Sequence, residues 1–355
     1  MSRSTLARPT AAAALLLAAT ATALTPSPAS AQAQAQAPYA VSVFAHAPGT
    51  ATQPDSIVAW RDRIVVGFEN GVAKDGSDGK SSTIVEFSLS GDPLLSFSVT
   101  GHNDGLRVVG DHELWALQNE DANPNLVVID LESGTATPYQ FAPTPHGGGY
   151  DDIVVGADGA VYLTASNPNL NAQGVNVYPA LVRARLANGN VLLEPVLYGN
   201  SNATDIGTGA AVTLNLTDPD SMTRDLKGDI VFTSQADSLL VFVRHPGAAD
   251  QIVGRLDISS TATGPGGALV TIDDTAFTPA GAAYLLVTDI GGNTIYRIDR
   301  SGFGFEPGQA YSASDTAGIV GTLNLDNGIV TPIVTGLVSA RGLQFVGARA
   351  GHARD

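Results

Sequence analysis

The strongest constraint on this chain is a phrase that recurs along it: an acid, a short apolar run, a tight turn and a second apolar run. Asp55-Ser56-Ile57-Val58 leads to Ile64-Val65-Val66, and Asp104-Gly105-Leu106-Arg107 leads to Leu114-Trp115-Ala116. Asp152-Ile153-Val154-Val155 leads to Val161-Tyr162-Leu163, and Asp220-Ser221-Met222-Thr223 to Ile230-Val231-Phe232. Asp274-Thr275-Ala276-Phe277 leads to Ala283-Tyr284-Leu285. Turn formers separate the paired runs: Arg61-Asp62, Gly110-Asp111, Asp158-Gly159, Gly228-Asp229 and Ala280-Gly281. The phrases begin about 50 to 70 residues apart, a period that suits propeller blades carrying loop insertions.

Apolar residues at three-four spacing are nearly missing, so helices are not expected. Runs such as Leu126-Val127-Val128-Ile129 and Leu239-Leu240-Val241-Phe242-Val243 are bounded by Gly, Asp, Asn or Pro, the signature of strands. Their unbroken apolarity marks strands buried on both faces, as when small sheets stack. About 24 strands can be counted, which gives an all-β fold, a six-bladed β-propeller of four-stranded blades. Five or seven blades are the alternatives, and a two-sheet sandwich is the competing architecture. Tyr39 to Phe44 is expected to lie beside C-terminal strands and close the ring, removing an exposed edge. After Arg297 the pattern does not fix the blade assignment. The stretch from Asn167 to Thr217, rich in Asn and Gly, reads as a blade insertion or long loop.

Residues 1–31 read as a secretory signal peptide: Arg3 and Arg8, the Ala/Leu run from Ala11 to Leu24, then Ala29-Ser30-Ala31 as the cleavage site. Residues 32–37 are a Gln-Ala leader expected to be disordered, 38–346 the propeller and 347–355 a tail. A secreted or periplasmic monomer follows. No later stretch is long and apolar enough for a transmembrane helix. Cysteine is absent, which excludes thiolate metal sites and a Cys nucleophile. The net charge is −16, and losing the leader removes two arginines and no acid. Such a chain is a poor partner for nucleic acid or an anionic membrane, and suits cations, sugars or neutral small molecules as ligand or substrate.

In an antiparallel four-stranded blade, the loop before the first strand and the loop after the second share a face. The leading acids belong to the first kind. Glu69-Asn70, Asn119-Glu120-Asp121, Asn167, Gln235 with Asp237, and Asp289 belong to the second. Acids and amides should therefore converge on one mouth of the central channel, an arrangement that suits a hard divalent cation such as Ca2+. Each Asp has an equally good structural use in capping its own turn. Asn119 to Asn125 opens like a calcium loop, but Leu126 stands where an EF-hand needs Gly. Gly79-Lys80-Ser81 ends like a phosphate loop, but Lys74 occupies the place of its first Gly. His102 and His146 precede leading phrases and are the candidate general bases, with solvated loop histidines as the plain alternative. His112 belongs to the opposite face. Gly147-Gly148-Gly149 lets backbone approach a ligand. Arg341, with Tyr150 beside the glycine run, is the candidate for holding substrate; Arg341 is equally suited to pairing with a carboxylate.

With these repeats in view, the chain resembles the secreted bacterial relatives of the regucalcin/gluconolactonase superfamily of six-bladed propellers. The resemblance rests on Asn103-Asp104-Gly105-Leu106 and Asp158-Gly159-Ala160-Val161-Tyr162. It implies a divalent ion, Ca2+ or another, near Asp104, Asn119, Glu120, Asp152 and Asp274. It also implies a metal-dependent lactone or ester hydrolase. The first phrase here opens with Asp55, where that superfamily carries Glu. A non-catalytic ligand- or protein-binding propeller is the second reading, and a sugar lyase or quinone-cofactor oxidoreductase the third.

Overall fold

In a computed structural model of the protein, residues 33–263 and 268–347 are described. The proposed signal peptide and nearly all of the proposed tail lie outside them. The described residues form strands joined by turns, with one 3-10 turn at Thr261–Thr263 and no helix long and apolar enough to cross a membrane.

The pairings sort into antiparallel units of four strands. The first holds Pro54–Trp60, Arg63–Phe68, Ser81–Ser88 and Pro93–Thr100. The second holds Asn103–Val109, Glu113–Gln118, Asn125–Asp130 and Ala136–Phe141. The third holds Ile153–Val155, Val161–Thr164, Pro179–Ala187 and Asn190–Tyr198. The fourth holds Pro219–Arg224, Ile230–Ser234, Leu239–Arg244 and Ile252–Asp257. The fifth holds Thr275–Phe277, Ala310–Ser314, Ile319–Leu323 and Ile329–Thr335. The sixth holds Ala340–Gly347, Ala282–Asp289, Thr294–Arg300 and Tyr39–His46. The first-named strand of each unit packs against that of the next, and the sixth returns to the first. The molecule is a β-propeller.

Apolar clusters lie between neighbouring units rather than within them. Val58, Val65 and Ile84 of the first unit meet Leu106, Leu114 and Ile129 of the second. Trp115, Leu117 and Leu126 meet Ile153, Val161 and Leu163 across the next seam. Each second strand thus buries both faces, which explains the unbroken apolar runs; Ile64, Val65 and Val66 are all fully buried. At roughly 25 cal/mol per Å2 of apolar area, these seams supply the main force holding units together.

Three expectations about the chain are corrected. Thr275–Phe277 does not pair with the run after Ala280-Gly281; it pairs with Ala310–Ser314, while Ala282–Asp289 pairs with Ala340–Gly347 in the next unit. The chain therefore leaves the fifth unit after one strand, builds two strands of the sixth, and returns. Turn residues signal a reversal but not its partner, and a three-residue strand offers little to hold the adjacent run. The Asn167 to Thr217 stretch is not one loop. It supplies the two outer strands of the third unit and a hairpin, Asn202–Asp205 with Ala211–Thr213, that runs parallel to Ile252–Asp257. The leader is not disordered where described: Gln34–Ala35 pairs with Ile329–Thr335, and Ala33 joins a core cluster. Tyr39–His46 does pair with Thr294–Arg300, so the N-terminal strand completes the sixth unit.

Candidate metal centre in the channel mouth

The register of the inner strands defines the site. Ile57, Leu106, Ile153, Met222, Thr275 and Leu343 occupy equivalent rungs opposite Val66, Ala116, Leu163, Phe232, Ser312 and Val287. Two residues before each stands Asp55, Asp104, Asp151, Asp220, Asp273 or Arg341. Five acids and one arginine therefore hold the same place around the axis. In four of the units a register shift falls at this place, between Pro54 and Ile57, Asn103 and Leu106, Pro219 and Met222, and Val287 and Asp289. Such bulges re-aim a side chain out of the pleat. All five acids line a cavity of about 150 Å3.

The next position around the ring is structural. Asp152 Oδ2 accepts the backbone N–H of Met222 at 2.7 Å, and Asp274 Oδ2 that of Leu343 at 2.7 Å. The hydroxyl of Ser56 donates to the Asp104 carbonyl. A Cβ on Gly105 would lie 2.5 Å from the Asp151 carbonyl oxygen, so glycine permits the strands to meet there. Each of these residues ties one unit to its neighbour. Lower in the channel, Arg107 spans to two further strands, donating from Nε to the Ile153 carbonyl at 2.8 Å and from Nη2 to that of Met222 at 3.2 Å.

Above the ring lies a second tier, from the loops after the second strands and from His102, which directly precedes Asn103–Val109. His102 is buried at 2 % exposure, and its Nδ1 lies 2.9 Å from the Val72 carbonyl. A carbonyl only accepts, so Nδ1 carries the proton. Nε2 has no hydrogen-bond partner and lies 3.5 Å from Glu69 Oε1 and 3.9 Å from Glu120 Oε1; in the neutral ring it presents a lone pair. Ligand atoms of His102, Asp104 and Glu120 all lie within 4.8 Å of one another, so this trio could hold a metal ion. The Lys74 ammonium contacts Glu120. Arg341 donates to Asp273 Oδ1 at 2.7 Å and approaches Asp315 at 3.8 Å.

So many carboxyls cannot all ionise together. Burial, and then the neighbouring Asp55, push Glu69 up to about 9. Burial pushes Asp220 up to about 8 and Asp274 up to about 7. It raises Asp104 well above the ordinary carboxyl value, with Glu120 and Asp55 adding to it, and Asp151 likewise, with Asp104 and Asp220 adding. Asp273 is also raised well, by burial against the opposing Arg341. Glu120 is the exception: burial opposes its charge, but Lys74 and hydrogen bonds from Asp104 and Asp151 hold it down to about 2.

Of the residues singled out from sequence, the structure brings together His102, Asp104 and Glu120. Asn119 stands beside them with its amide occupied: Oδ1 accepts the His102 N–H at 2.9 Å and Nδ2 donates to the Asn123 carbonyl at 2.9 Å. Asp152 and Asp274 lie on the cavity wall as inter-unit ties. His146 is buried in its own loop, with Nε2 2.8 Å from the Gly149 carbonyl and its ring edge-on to Tyr150. Tyr150 stacks on Phe141 at 4.9 Å. Neither borders the cavity. Arg341 joins the acid ring through Asp273. Asp55 and Asp220 were expected at the mouth as leading acids but not named as ligands, and Asp151, Asp273 and Lys74 were not expected there. The doublets Asp151-Asp152 and Asp273-Asp274 carried a signal for two of them, since only the first acid of each doublet matches Asp104 in position.

No family model matches the chain, and no curated protein matches it. Among solved structures, virginiamycin B lyase from Staphylococcus aureus is similar at 11 % identity and a TM-score of 0.48, covering 88 % of this chain and 90 % of that one. A streptogramin B lyase is similar at 14 % identity and a TM-score of 0.45, covering 88 % of each chain. A protein provisionally described as a gluconolactonase is similar at 11 % identity and a TM-score of 0.46, covering 85 % of this chain and 83 % of that one. Propellers at such distance host unrelated chemistries.

Proposed function

We propose that the channel mouth is a divalent-cation centre and that the protein is a metal-dependent hydrolase of small lactones or esters. The observation that carries this reading is His102 Nε2: buried, without a hydrogen-bond partner and facing Glu69 and Glu120, while Nδ1 is held at the Val72 carbonyl. The donor set fits a metal ion, with His102, Asp104 and Glu120 as its ligands. Calcium takes oxygen ligands; a nitrogen donor shifts the preference toward manganese or zinc. When bound, such an ion polarises a carbonyl oxygen and stabilises the charge that develops on it.

The chain's own groups supply the rest. Engaged through Nε2, His102 orients the centre rather than abstracting a proton. Asp220, pushed by burial up to about 8, lines the cavity and holds a proton at neutral pH for a departing alkoxide, and burial raises the neighbouring Asp151 as well. The cavity, about 150 Å3, admits a small acyl group rather than a polymer. The leader motif is the reason to assign this activity to a secreted or periplasmic protein. The test is turnover of a lactone and aryl-ester panel by metal-loaded protein, with chelator and re-addition of MnCl2, ZnCl2 or CaCl2. Turnover lost with chelator and restored by one ion supports the reading; turnover indifferent to chelator, or none with any ion, rejects it.

A second reading has one observation in its favour. Glu120 already meets Lys74 and Asp273 already meets Arg341, so the chain neutralises part of the mouth itself. A propeller that binds a small ligand without turning it over would need no more. Stoichiometric ligand binding unaffected by metal removal would favour it.

A further inference from the structure

Segment 72–80 links the second and third strands of the first unit and reaches over the mouth. It does two things at the candidate metal centre. The Val72 carbonyl fixes the His102 tautomer, and Lys74 places its ammonium on Glu120. The placement is built in: the Lys74 carbonyl accepts the Asp121 N–H at 3.2 Å, and Asn123 Nδ2 donates to the Asp75 carbonyl at 3.2 Å. The segment is folded around its own acids, with Asp78 accepting the N–H groups of Ala73 at 3.2 Å and Lys80 at 3.1 Å. Asp104 and Asp151, which hydrogen-bond Glu120, lie within the field of the same ammonium.

We propose that Lys74 is the built-in counter-cation of this centre, that a divalent ion enters only by displacing its ammonium from Glu120, and that Lys74 thereby sets the site's metal affinity. The inference rests on the metal reading above. An ammonium and a metal ion compete for the same carboxylate charge, and two cations beside one another repel. A resident ammonium therefore lowers metal affinity and makes occupancy depend on cation concentration. Because Lys74 is docked through the backbone as well, its expulsion loosens residues 73–80 over the mouth, coupling ion entry to access.

The experiment is calorimetric titration of MnCl2 into chelator-stripped full-length protein, native and with Lys74→Met, Lys74→Arg or His102→Ala. Alongside it, hydrogen exchange is followed across 73–80 with and without saturating MnCl2. Lys74→Met is expected to bind at least roughly tenfold more tightly than native, a factor of ten in Kd. Lys74→Arg, which keeps the charge, should stay near native, and exchange in 73–80 of the native protein should rise with metal. Equal affinity of native and Lys74→Met, lost from both with His102→Ala, overturns this inference and leaves the metal reading intact. No Mn2+ binding by either overturns both. Should Lys74→Met fail to fold, unchanged exchange in 73–80 of the native protein at saturating metal overturns the inference by itself.

Discussion

Asp274 accepts the backbone N–H of Leu343 at 2.7 Å, joining the fifth unit to the inner strand of the sixth. Asp152 makes the same bond to Met222 between the third and fourth. These acids face the channel but spend their oxygens on closing it.

That role fixes a pH response. Burial pushes the Asp274 carboxyl up to about 7, against about 3.9 in an unfolded chain. The folded chain therefore holds more protons than the unfolded one between those values. Its contribution to stability is full below about pH 4 and is lost as pH rises through about 7. Asp274→Asn keeps an acceptor for Leu343 and removes the titration. Denaturation midpoints from pH 4 to 8 should show a flatter profile for Asp274→Asn, with a relative gain on the order of 1–4 kcal/mol at pH 8. An unchanged slope would show that the carboxyl titrates as it does when unfolded.

Removing the imidazole should cost metal and leave the fold. His102→Ala is expected to weaken Mn2+ or Zn2+ binding by about 10–100-fold or more, since ligand and orienting groups act together. Equilibrium dialysis with elemental analysis reads this directly. His146→Ala, in a loop that does not border the cavity, should leave metal content at the native level. Equal metal content in native protein and His102→Ala would dismiss the trio as the site.

Metal should also stabilise. An ion bound only by the folded chain adds about 2.7 kcal/mol at a hundredfold excess over its Kd. The melting temperature should rise with MnCl2 and return on chelation. In His102→Ala the rise should be absent.

A prediction away from the site concerns the join between the sixth and first units. A Cβ at Gly91, where φ is +89°, would lie 2.0 Å from the carbonyl oxygen of Phe44, which is backbone and cannot swing aside. Gly110 is also left-handed, at +65°, but open around its Cα. Gly110→Ala should cost about 1 kcal/mol and Gly91→Ala about 2–4 kcal/mol in urea unfolding. Similar losses for both would mean the strands part readily.

Much of this was legible from repetition. The leading phrase gave the two inner strands of four units, and loop alternation put Glu120 and His102 on one face with Asp104, where the three lie close together. The alignment slipped by one in two phrases because Asp151-Asp152 and Asp273-Asp274 each offer two acids before the apolar run. Which acid enters the channel depends on the second strand's register, and sequence periodicity does not carry it. Lys74 was missed as a site residue for another reason: it lies in the long 69–80 connection, outside the repeated phrase. The route of Ala282–Asp289 into the sixth unit depends on a partner, Ala340–Gly347, that lies some fifty residues onward.

That crossing has a consequence for assembly order. Three strands of the sixth unit are made before the fifth is half built, and their innermost partner, Ala340–Gly347, follows the whole of the fifth. The ring cannot shut before Ala340–Gly347 is made, and truncation between Arg300 and Ile329 leaves two units unfinished instead of one. Whatever enters the channel mouth must therefore wait for Ala340–Gly347.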